Sequence, residues 1–394
     1  MSDRLLPLSG FRVIDLTSAR SGPVCTRILA DFGADVIWIE RPGESSVLRD
    51  SFDEADLHRG KKSVLLDLRD ADGIEVLKRL VVGADIVVEN YRPRVKGELG
   101  IDYETLAAIN PRLIYASISG FGQSGPYRDR PGYDQIIQGL SGLMSLTGTE
   151  TTGPLRVGIP IADLLAGYFA AQGILLALLE RERSGRGQWV ETSLLSALVG
   201  SLSFQAAKYL STGEVPPPVG HHHPLVAPMG VYEVQDGLLN LAIGSEEMWL
   251  RLCRALGRSD LTEDARFRRN PDRVEHREAL NAALEAVLIT RPVAYWVSLL
   301  NEAGVACGPV YRLDHVFADP QVRHARLVSE VHHPRYGPTK VLGIPVTLHQ
   351  TPGKIAGPSP LRGEHTCQVL EGLGYDRDTI VSLLTRGVAV EARG

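Results

Sequence analysis

The sequence predicts an α/β protein with a parallel sheet of Rossmann type, joined to a smaller α+β domain. Short β-branched runs alternate with longer helical patterns through the first two hundred residues, and a Pro-rich breaker with a change of composition follows at residues 213–220. Alternation at this spacing indicates parallel strands with helices on both faces of the sheet. Ligands of such sheets bind beyond the carboxyl ends of the strands.

The individual strands and helices are predicted from the spacing of apolar residues and from the Pro and Gly residues at their ends. Strands are predicted at residues 12–16, 35–39, 63–67, 86–89 and 113–117, and helices at 22–32, 71–82 and 103–109. A long helix rich in Ala, Gly and Leu is predicted over residues 160–183, with Pro near its first turn. A strand over 188–192 and a helix over 194–212 come next.

Beyond the breaker the pattern changes to a smaller α+β domain. A strand pair is predicted around Asp236-Gly237, and the helices that follow it are predicted at 246–256, 276–288 and 294–303. Residues 333–360 have no long helix and suggest a return linker with short strands. A terminal helix is predicted over 363–374.

Composition limits the function classes. The 394 residues carry a formal net charge of −5 without a basic stripe, so nucleic acid is not expected as a partner. The four cysteines lack metal-ligand or redox spacing, and the N-terminus has no signal-peptide pattern. The apolar stretch 164–179 contains Gln172 and is too short to cross a bilayer, so we expect a cytoplasmic protein that does not bind membranes.

Several polar residues follow predicted strands, where ligands of such sheets bind. The loop Thr17, Ser18, Ala19 and Arg20 leads into a helix and could hold an anion on its backbone N–H groups, although a plain turn is the commoner explanation. The loop has no GxGxxG pattern, which argues against a conventional dehydrogenase.

Two later strand ends carry similar candidates. Arg41 could bind a phosphate through two hydrogen bonds, or it could form a solvent-exposed ion pair with Glu40. Asn90 and Tyr91 could bind a ligand, or Asn90 could simply form a turn.

Asp163 is the candidate nucleophile. It lies in the first turn of the long helix, and its apolar neighbours Ile161, Ala162, Leu164 and Leu165 would remove water from its carboxylate. On chemistry alone, stabilisation of the helix N-terminus is the better explanation of the residue. The run His221, His222 and His223 has no carboxylate at ligand spacing, so no metal is expected there.

Taken together, the motifs of this sequence resemble those of the family III CoA-transferases, a group that also includes α-methylacyl-CoA racemases. The markers, in chain order, are LSGFRVIDL at 8–16, FGADVIWIERPG at 32–43, DIVVENYRP at 85–93, GFGQSGPY at 120–127, AGVACGPV at 303–310 and GEHT at 363–366. They cover nearly the whole chain.

The resemblance implies an interlocked homodimer in which both chain ends form the large CoA-binding domain. This domain would comprise residues 1–220 and 333–394, and the small domain with its linkers would comprise 221–332. CoA is then a cosubstrate, and no permanently bound cofactor is expected. The implied CoA-binding residues are Thr17, Ser18, Ala19, Arg20, Arg41, Leu66, Arg69, Asn90 and Tyr91.

The resemblance also implies a mechanism, because the family nucleophile of the Gly-x-x-x-x-Asp motif falls on Asp163. Its carboxylate would attack an acyl-CoA and form a mixed anhydride. The released thiolate would convert this anhydride into an aspartyl-CoA thioester, which the acceptor acid would then attack.

Two departures from the family pattern bear on the substrate. Tyr133 stands where the racemases have the His of a Gly-His-Asp motif, and a phenol is a poor base at neutral pH, which disfavours the racemase alternative. His221–His223 replaces the glycine loop of formyl-CoA transferase, which disfavours oxalate and formate.

The leading interpretation is therefore CoA transfer to dicarboxylic acids, with succinyl-CoA as a candidate donor. Tyr133, His222 and His223 are its candidate substrate contacts, although packing would equally explain the histidines. A 2-methylacyl-CoA racemase and a non-catalytic CoA-binding protein remain the alternatives.

Overall fold

The computed structural model describes residues 5–43 and 52–392, and the chain forms two compact units. The first unit contains the described residues up to Leu143, Arg156–Gly213 and those from Gln321 onward. The second contains Met144–Leu155 and Glu214–Pro320, whereas the predicted small domain covers 221–332. Residues 144–155 belong to the second unit because their hairpin receives a backbone hydrogen bond of 2.7 Å from Gly220 N–H to Gly148 O.

The helices and strands are numbered in chain order. The strands are β1 Arg12–Leu16, β2 Asp35–Glu40, β3 Lys62–Leu66, β4 Ile86–Glu89, β5 Ile114–Ser119, β6 Gly148–Thr149, β7 Gly153–Pro154, β8 Trp189–Ser193, β9 Met229–Val234, β10 Gly237–Ala242, β11 Cys307–Pro309, β12 Val328–His333, β13 Gly337–Leu342 and β14 Ala389–Val390. The α-helices are α1 Ser21–Asp31, α2 Phe52–Leu57, α3 Ala71–Val82, α4 Pro93–Leu99, α5 Tyr103–Ile109, α6 Asp134–Leu140, α7 Leu143–Leu146, α8 Ile161–Ser184, α9 Leu194–Gly200, α10 Ser203–Thr212, α11 Glu246–Ala255, α12 Asp260–Glu263, α13 Asn270–Glu275, α14 Arg277–Leu288, α15 Val293–Glu302, α16 Leu313–Ala318, α17 Pro320–His324, α18 Thr366–Gly372 and α19 Arg377–Thr385. A turn of 3₁₀ helix covers Ala265–Phe267.

The first unit is built on a seven-stranded sheet with the order β14-β3-β2-β1-β4-β5-β8. All neighbouring strands run parallel except β14, which pairs antiparallel with β3. The order 3-2-1-4-5 is that of a Rossmann sheet, and the order reverses between β1 and β4. The predicted α/β class with a large parallel sheet is confirmed.

The C-terminal segment completes the edge of this sheet beside β3. The His365 N–H donates to Ser63 O at 3.0 Å, and the Leu65 N–H donates to the Thr366 hydroxyl at 3.1 Å. The chain then passes through α18 and α19 into the two-residue strand β14. Sequence reasoning predicted a helix at 363–374 but missed β14, because two residues are too few to show a period.

The helix α8 lies in the core of the first unit. This helix has 24 residues, and an 18-residue stretch of it has a mean hydropathy of 1.7, so it is long and apolar enough for a membrane span. One face is nevertheless buried through Ala162, Ala166 and Ala170. A Cβ on Gly167 would lie 2.6 Å from Ser21 O, so only glycine allows α1 and α8 to approach this closely. The Ala- and Gly-rich composition that predicted this helix therefore serves close packing.

One predicted element was wrong. The single helix expected over 194–212 is two helices, α9 and α10, with a break at Ser201 and Leu202. Ser203 has a φ of 53°, a left-handed conformation that a continuous helix cannot contain. Nothing in the spacing of apolar residues marks this break, because both helices keep the same period.

The second unit has a three-stranded antiparallel sheet with the order β11-β10-β9. The predicted strand pair around Asp236-Gly237 is the β9-β10 hairpin, in which Val234 pairs with Gly237. Helices α11, α14 and α15 cover it and bury Trp249, Leu284 and Trp296 in a separate core.

A buried ion pair connects β1 with the start of β3. Asp15 Oδ2 accepts hydrogen bonds from Lys61 Nζ at 3.0 Å and from the Thr26 hydroxyl at 2.6 Å. Both charged side chains are fully buried. Asp15 Oδ1 meanwhile accepts the N–H of Thr17 at 3.0 Å, so one carboxylate joins two strands, helix α1 and the loop after β1.

Replacing Lys61 with Met should be strongly destabilising, because it leaves the Asp15 charge buried without its partner. We expect the free energy of unfolding to fall by about 3–5 kcal/mol, measured by urea denaturation at pH 7. The adjacent Lys62→Met is the matched control, since Lys62 pairs with Asp35 at the surface and its loss should cost less than about 1 kcal/mol. Equal effects of the two changes would contradict this account.

Candidate active site

A large cavity of about 770 Å³ lies at the carboxyl ends of β1 to β4. It is lined by the predicted residues Thr17, Ser18, Ala19, Arg41, Leu66, Arg69 and Tyr91, together with residues that sequence reasoning missed, among them Trp38, His58, Glu98 and Arg362. Its position is the one expected for a ligand of a Rossmann sheet. Seven of the nine predicted CoA-binding residues are therefore brought together.

The loop after β1 is held in place from both sides. Asn90 accepts the N–H of Ser18 at 3.0 Å and donates its own amide to Ser18 O at 2.7 Å. Ala19 has a φ of 62°, an uncommon conformation for a residue with a side chain. The Asn90 amide thus orders the loop at a strained position, and Asn90 also lines the second, smaller cavity described below.

Trp38 and His58 form part of the wall of the large cavity. Their rings are stacked with centroids 3.6 Å apart, and Trp38 Nε1 donates to Thr17 O at 3.1 Å. Both side chains are buried. The tryptophan lies inside the marker segment 32–43, but only the fold shows that it faces the cavity.

Among the described residues, three arginines line the large cavity, and one of them comes from the far end of the chain. Arg41 and Arg69 follow β2 and β3 and are exposed. Arg362 reaches the same cavity from the C-terminal segment, where its Nη2 donates to Arg41 O at 2.6 Å. Guanidinium groups are suited to phosphate, but three hundred residues separate Arg362 from its neighbours, so sequence spacing could not reveal it.

Arg20 is placed differently from the other predicted residues. Its guanidinium forms a two-point ion pair with Asp53, with distances of 2.8 and 2.9 Å, and it lines neither cavity. Its positive charge nevertheless acts on Asp163, as described below.

A second, smaller cavity of about 190 Å³ contains Asp163 and Tyr133. It shares Ser18, Ala19 and Tyr91 with the large cavity, so these three residues form a common wall. A ligand with a narrow arm could occupy both spaces and present the end of its arm to the Asp163 carboxylate. The structure thus brings Asp163 and the predicted loop residues to one place.

The floor of the small cavity depends on two glycines. A Cβ on Gly120 would lie 2.7 Å from the Gly132 Cα, and one on Gly132 would lie 2.8 Å from the Gly120 Cα. No side chain fits at either position, so the strand end after β5 and the segment before α6 touch through their backbones. This contact places Tyr133 and Asp134 beside the start of α8.

Asp134 provides the helix cap that the sequence suggested for Asp163. Asp134 Oδ1 accepts the N–H of Ala162 at 2.8 Å, in the first turn of α8. Gln138 donates to Asp134 Oδ2 at 2.7 Å and accepts the Val157 N–H at 2.9 Å. The Asp163 carboxylate accepts no hydrogen bond from the described part of the chain, so it is available for chemistry.

The pKa of Asp163 is raised to about 6. The largest cause is burial, which removes water from the carboxylate, and the second is the negative charge of Asp134. The positive charge of Arg20 acts in the opposite direction. Asp163 is consequently ionised at neutral pH, yet its carboxylate is more basic and more nucleophilic than that of an ordinary aspartate.

The predicted histidine contacts belong to the second unit. His222 Nε2 lies 3.1 Å from the Asn281 amide, and burial is the main reason that the pKa of His222 is lowered to about 4. His223 Nδ1 accepts the Leu225 N–H at 3.2 Å. Both rings serve local structure, and His222 is uncharged at neutral pH. Over residues 5–43 and 52–392, no three His, Cys, Asp or Glu side chains are arranged to hold a metal ion.

The fold agrees with the comparison with known proteins. The family model described as CoA-transferase family III matches residues 8–366. The chain belongs to this family and is a CoA-transferase.

Three proteins illustrate what this chain resembles. A mouse protein named succinyl-CoA:glutarate CoA-transferase is 37% identical over 98% of this chain and 91% of its own. A protein of Acetobacter aceti named acetyl-CoA:oxalate CoA-transferase is 37% identical over 88% of this chain and 92% of its own. The crystal structure of a CAIB/BAIF family protein from Brucella suis has a TM-score of 0.83 at 35% identity, covering 94% of this chain and all of that one.

Replacing Asp134 with Asn should move the acid limb of the pH–rate profile to lower pH, because it removes a negative charge that raises the pKa of Asp163. For the wild type, kcat/KM for the acyl-CoA should fall as the pH drops through about 6. The measurement is kcat/KM between pH 4.5 and 8.5.

Two further variants control this profile. Glu180→Gln, an exposed change at the other end of α8, should leave the limb unchanged. Arg20→Gln should move it to higher pH, because Arg20 lowers the pKa of Asp163. A shift of Asp134→Asn in the same direction as Arg20→Gln would refute the assigned charges.

Proposed function

We propose that this protein transfers CoA from an acyl-CoA to a dicarboxylic acid through covalent intermediates on Asp163. The observation that carries the proposal is the common wall of Ser18, Ala19 and Tyr91 between the large cavity and the Asp163 cavity. The nucleotide part of CoA would occupy the large cavity near Arg41, Arg69 and Arg362, and the thioester arm would cross the common wall to Asp163.

In the first half-reaction, the Asp163 carboxylate attacks the thioester carbonyl. A C–O bond to Asp163 forms, the C–S bond breaks, and CoA leaves as a thiolate while the acyl group remains as a mixed anhydride. The thiolate then attacks the aspartyl carbonyl of this anhydride. The donor acid leaves as a carboxylate, and an aspartyl-CoA thioester remains.

The second half-reaction reverses these steps with the acceptor acid. Its carboxylate attacks the aspartyl-CoA carbonyl and gives a new anhydride and CoA thiolate. The thiolate attacks the acceptor carbonyl of the anhydride, which forms the new acyl-CoA and restores the Asp163 carboxylate. No net proton is taken up or released, and the thioester free energy is retained.

The environment of Asp163 suits both roles of its carboxylate. As a nucleophile it gains from weak solvation and a pKa near 6, because basicity and attack on a carbonyl increase together. As a leaving group, its carboxylate becomes negatively charged again when the anhydride breaks, and the positive charge of Arg20 stabilises that negative charge. The balance between Asp134 and Arg20 therefore keeps Asp163 usable in both directions.

The choice of dicarboxylic acids rests on the relatives. The mouse relative is named for succinyl-CoA and glutarate, and the Acetobacter relative for oxalate, which is also a dicarboxylic acid. Succinyl-CoA is accordingly our proposed donor. Oxalate, disfavoured by the His221–His223 replacement of the glycine loop, belongs in the acceptor panel because of the second relative.

Asp163→Asn should abolish transfer while the protein stays folded. We expect a loss of at least about three orders of magnitude in kcat, because the covalent route is removed. Wild-type enzyme incubated with acyl-CoA and treated with hydroxylamine should carry a hydroxamate on the peptide that contains Asp163, detected by mass spectrometry. Glu180→Gln is the control on the same helix and should keep full activity.

The same variant can be shown to be folded by its pH-dependent stability. The pKa of Asp163 in the folded protein lies above the 3.8 of an aspartate in an unfolded chain, so ionisation of this side chain opposes folding. The penalty is complete above pH 6 and absent below pH 3.8. Asp163→Asn should therefore unfold at higher urea concentration than wild type at pH 7.5. Near-normal turnover by Asp163→Asn, or a hydroxamate on Asp134, would contradict the mechanism.

We further propose that the protein is an interlocked homodimer, as its family resemblance implies. The face of α8 that turns away from the core carries Tyr168, Phe169, Leu176 and Leu179, whose exposed fractions are 47, 42, 58 and 64%. Leu210 on α10 is 81% exposed. Clustered apolar side chains of this size are typical of surfaces that another protein covers, and a second copy of the chain is the proposed partner.

Light scattering at micromolar concentration should give a mass of about twice 42.9 kDa. Leu179→Glu should lower the fraction of dimer, because it places a charge in the proposed interface. Val82→Glu is the control, since Val82 is similarly exposed, at 66%, but lies on α3. A monomeric wild-type protein would rule out this part of the proposal.

A further inference from the structure

Three arginines line the small cavity together with Asp163. We call Arg92, Arg128 and Arg130 the arginine rim. Among the described residues that line this cavity, Asp163 is the only one with an acidic side chain. The space around the nucleophile therefore has an excess of positive charge, although the protein as a whole has a net charge of −5.

The position of Arg130 is ordered by neighbouring aromatic rings. Its guanidinium carbon lies 3.8 Å from the ring centroid of Tyr127, a cation–π contact, and the Arg130 N–H donates to Tyr127 O at 2.9 Å. Tyr127 in turn packs edge-on against Phe121, with centroids 5.5 Å apart. Since the flat face of the guanidinium is stacked, its N–H groups stay available at its edge for a ligand.

Neighbouring carboxylates neutralise little of the positive charge of the arginine rim. Within residues 5–43 and 52–392, neither Arg92 nor Arg130 has a carboxylate at ion-pair distance, and Arg128 contacts only its exposed neighbour Asp129, at 3.1 Å. Exposed pairs of that kind contribute little and exchange readily. The rim is therefore able to bind an incoming anion.

The reaction itself supplies such an anion. An acceptor carboxylate must approach the partly buried Asp163, and a dicarboxylic acid brings a second negative charge that takes no part in bond formation. Leaving that charge unpaired next to Asp163 would be costly, because charges interact more strongly where water is excluded. A guanidinium can bind a carboxylate through two parallel hydrogen bonds.

We infer that the arginine rim, with Arg130 as its principal member, binds the remote carboxylate of the dicarboxylic acid. This inference rests on the proposed function. The cavity of about 190 Å³ suits a short acid, being smaller than the ~300 Å³ or more of sites for drug-sized molecules. The CoA phosphates are assigned to the other three arginines, Arg41, Arg69 and Arg362, which line only the large cavity.

The test compares a dicarboxylic acid with its monoamide, which has nearly the same shape but lacks the remote charge. The acid is whichever of oxalate, succinate and glutarate the wild type uses best. The measured quantity is kcat/KM for the acceptor acid at saturating acyl-CoA. Because the acceptor reacts only with the aspartyl-CoA enzyme in the proposed mechanism, this quantity depends only on the second half-reaction. Arg130→Gln should lower it about 10- to 100-fold for the diacid, the usual range for a charged hydrogen bond, and less than about 3-fold for the monoamide.

Two further variants separate binding from general charge effects. Arg130→Lys keeps the charge but loses the two-point geometry, so its diacid kcat/KM should fall between those of wild type and Arg130→Gln. Arg94→Gln is the matched control, because Arg94 lies nearby on α4, pairs with Glu98 at 3.1 Å and lines neither cavity. It should change neither acceptor.

The inference is overturned if Arg130→Gln lowers kcat/KM equally for diacid and monoamide, or if it raises only the KM for acyl-CoA. The first result would indicate a structural role, and the second a CoA contact. Failure of the proposed function looks different, since the wild type would then transfer CoA to none of the diacids or form no hydroxamate on Asp163.

Discussion

The buried carboxylate of Asp15 is the interaction on which the site depends. It lies at the end of β1, where Lys61 neutralises it and where it accepts the N–H of Thr17. The loop of Thr17, Ser18 and Ala19 starts from this anchor, and Asn90 fixes its other side. Because Ser18 and Ala19 line both cavities, this charge pair in the core helps to hold the wall that the two cavities share.

The chemistry at Asp163 is set by groups that do not react. Asp134 caps α8 through the Ala162 N–H and so leaves the Asp163 carboxylate without a hydrogen bond from the described residues. Burial and the charge of Asp134 raise the pKa of Asp163, while Arg20 opposes them. In the proposed mechanism Asp163 is both a nucleophile and a leaving group, and it needs such a balance because each contribution favours one of these two roles.

The arginines that line the two cavities form two separate groups. Arg41, Arg69 and Arg362 line the large cavity, and Arg92, Arg128 and Arg130 line the small one. In the proposed assignment, the first group meets the phosphates of CoA and the second meets the acid. This separation would allow the acid specificity to change through the loop before α6 without altering the CoA site, whose arginines follow β2 and β3 or belong to the C-terminal segment.

The sequence alone determined the α/β class, most strand and helix positions, and the family, because these depend on period and on motifs that are local in the chain. It also singled out Asp163, although on chemistry alone it favoured capping of the helix as the explanation of that residue. Only the tertiary structure shows that Asp134 caps the helix, from a segment 28 residues away. Arg362, the strand β14 and the arginine rim were equally beyond sequence reasoning. Each of them depends on contacts between segments that are far apart in the sequence, and local sequence patterns contain no information about such contacts.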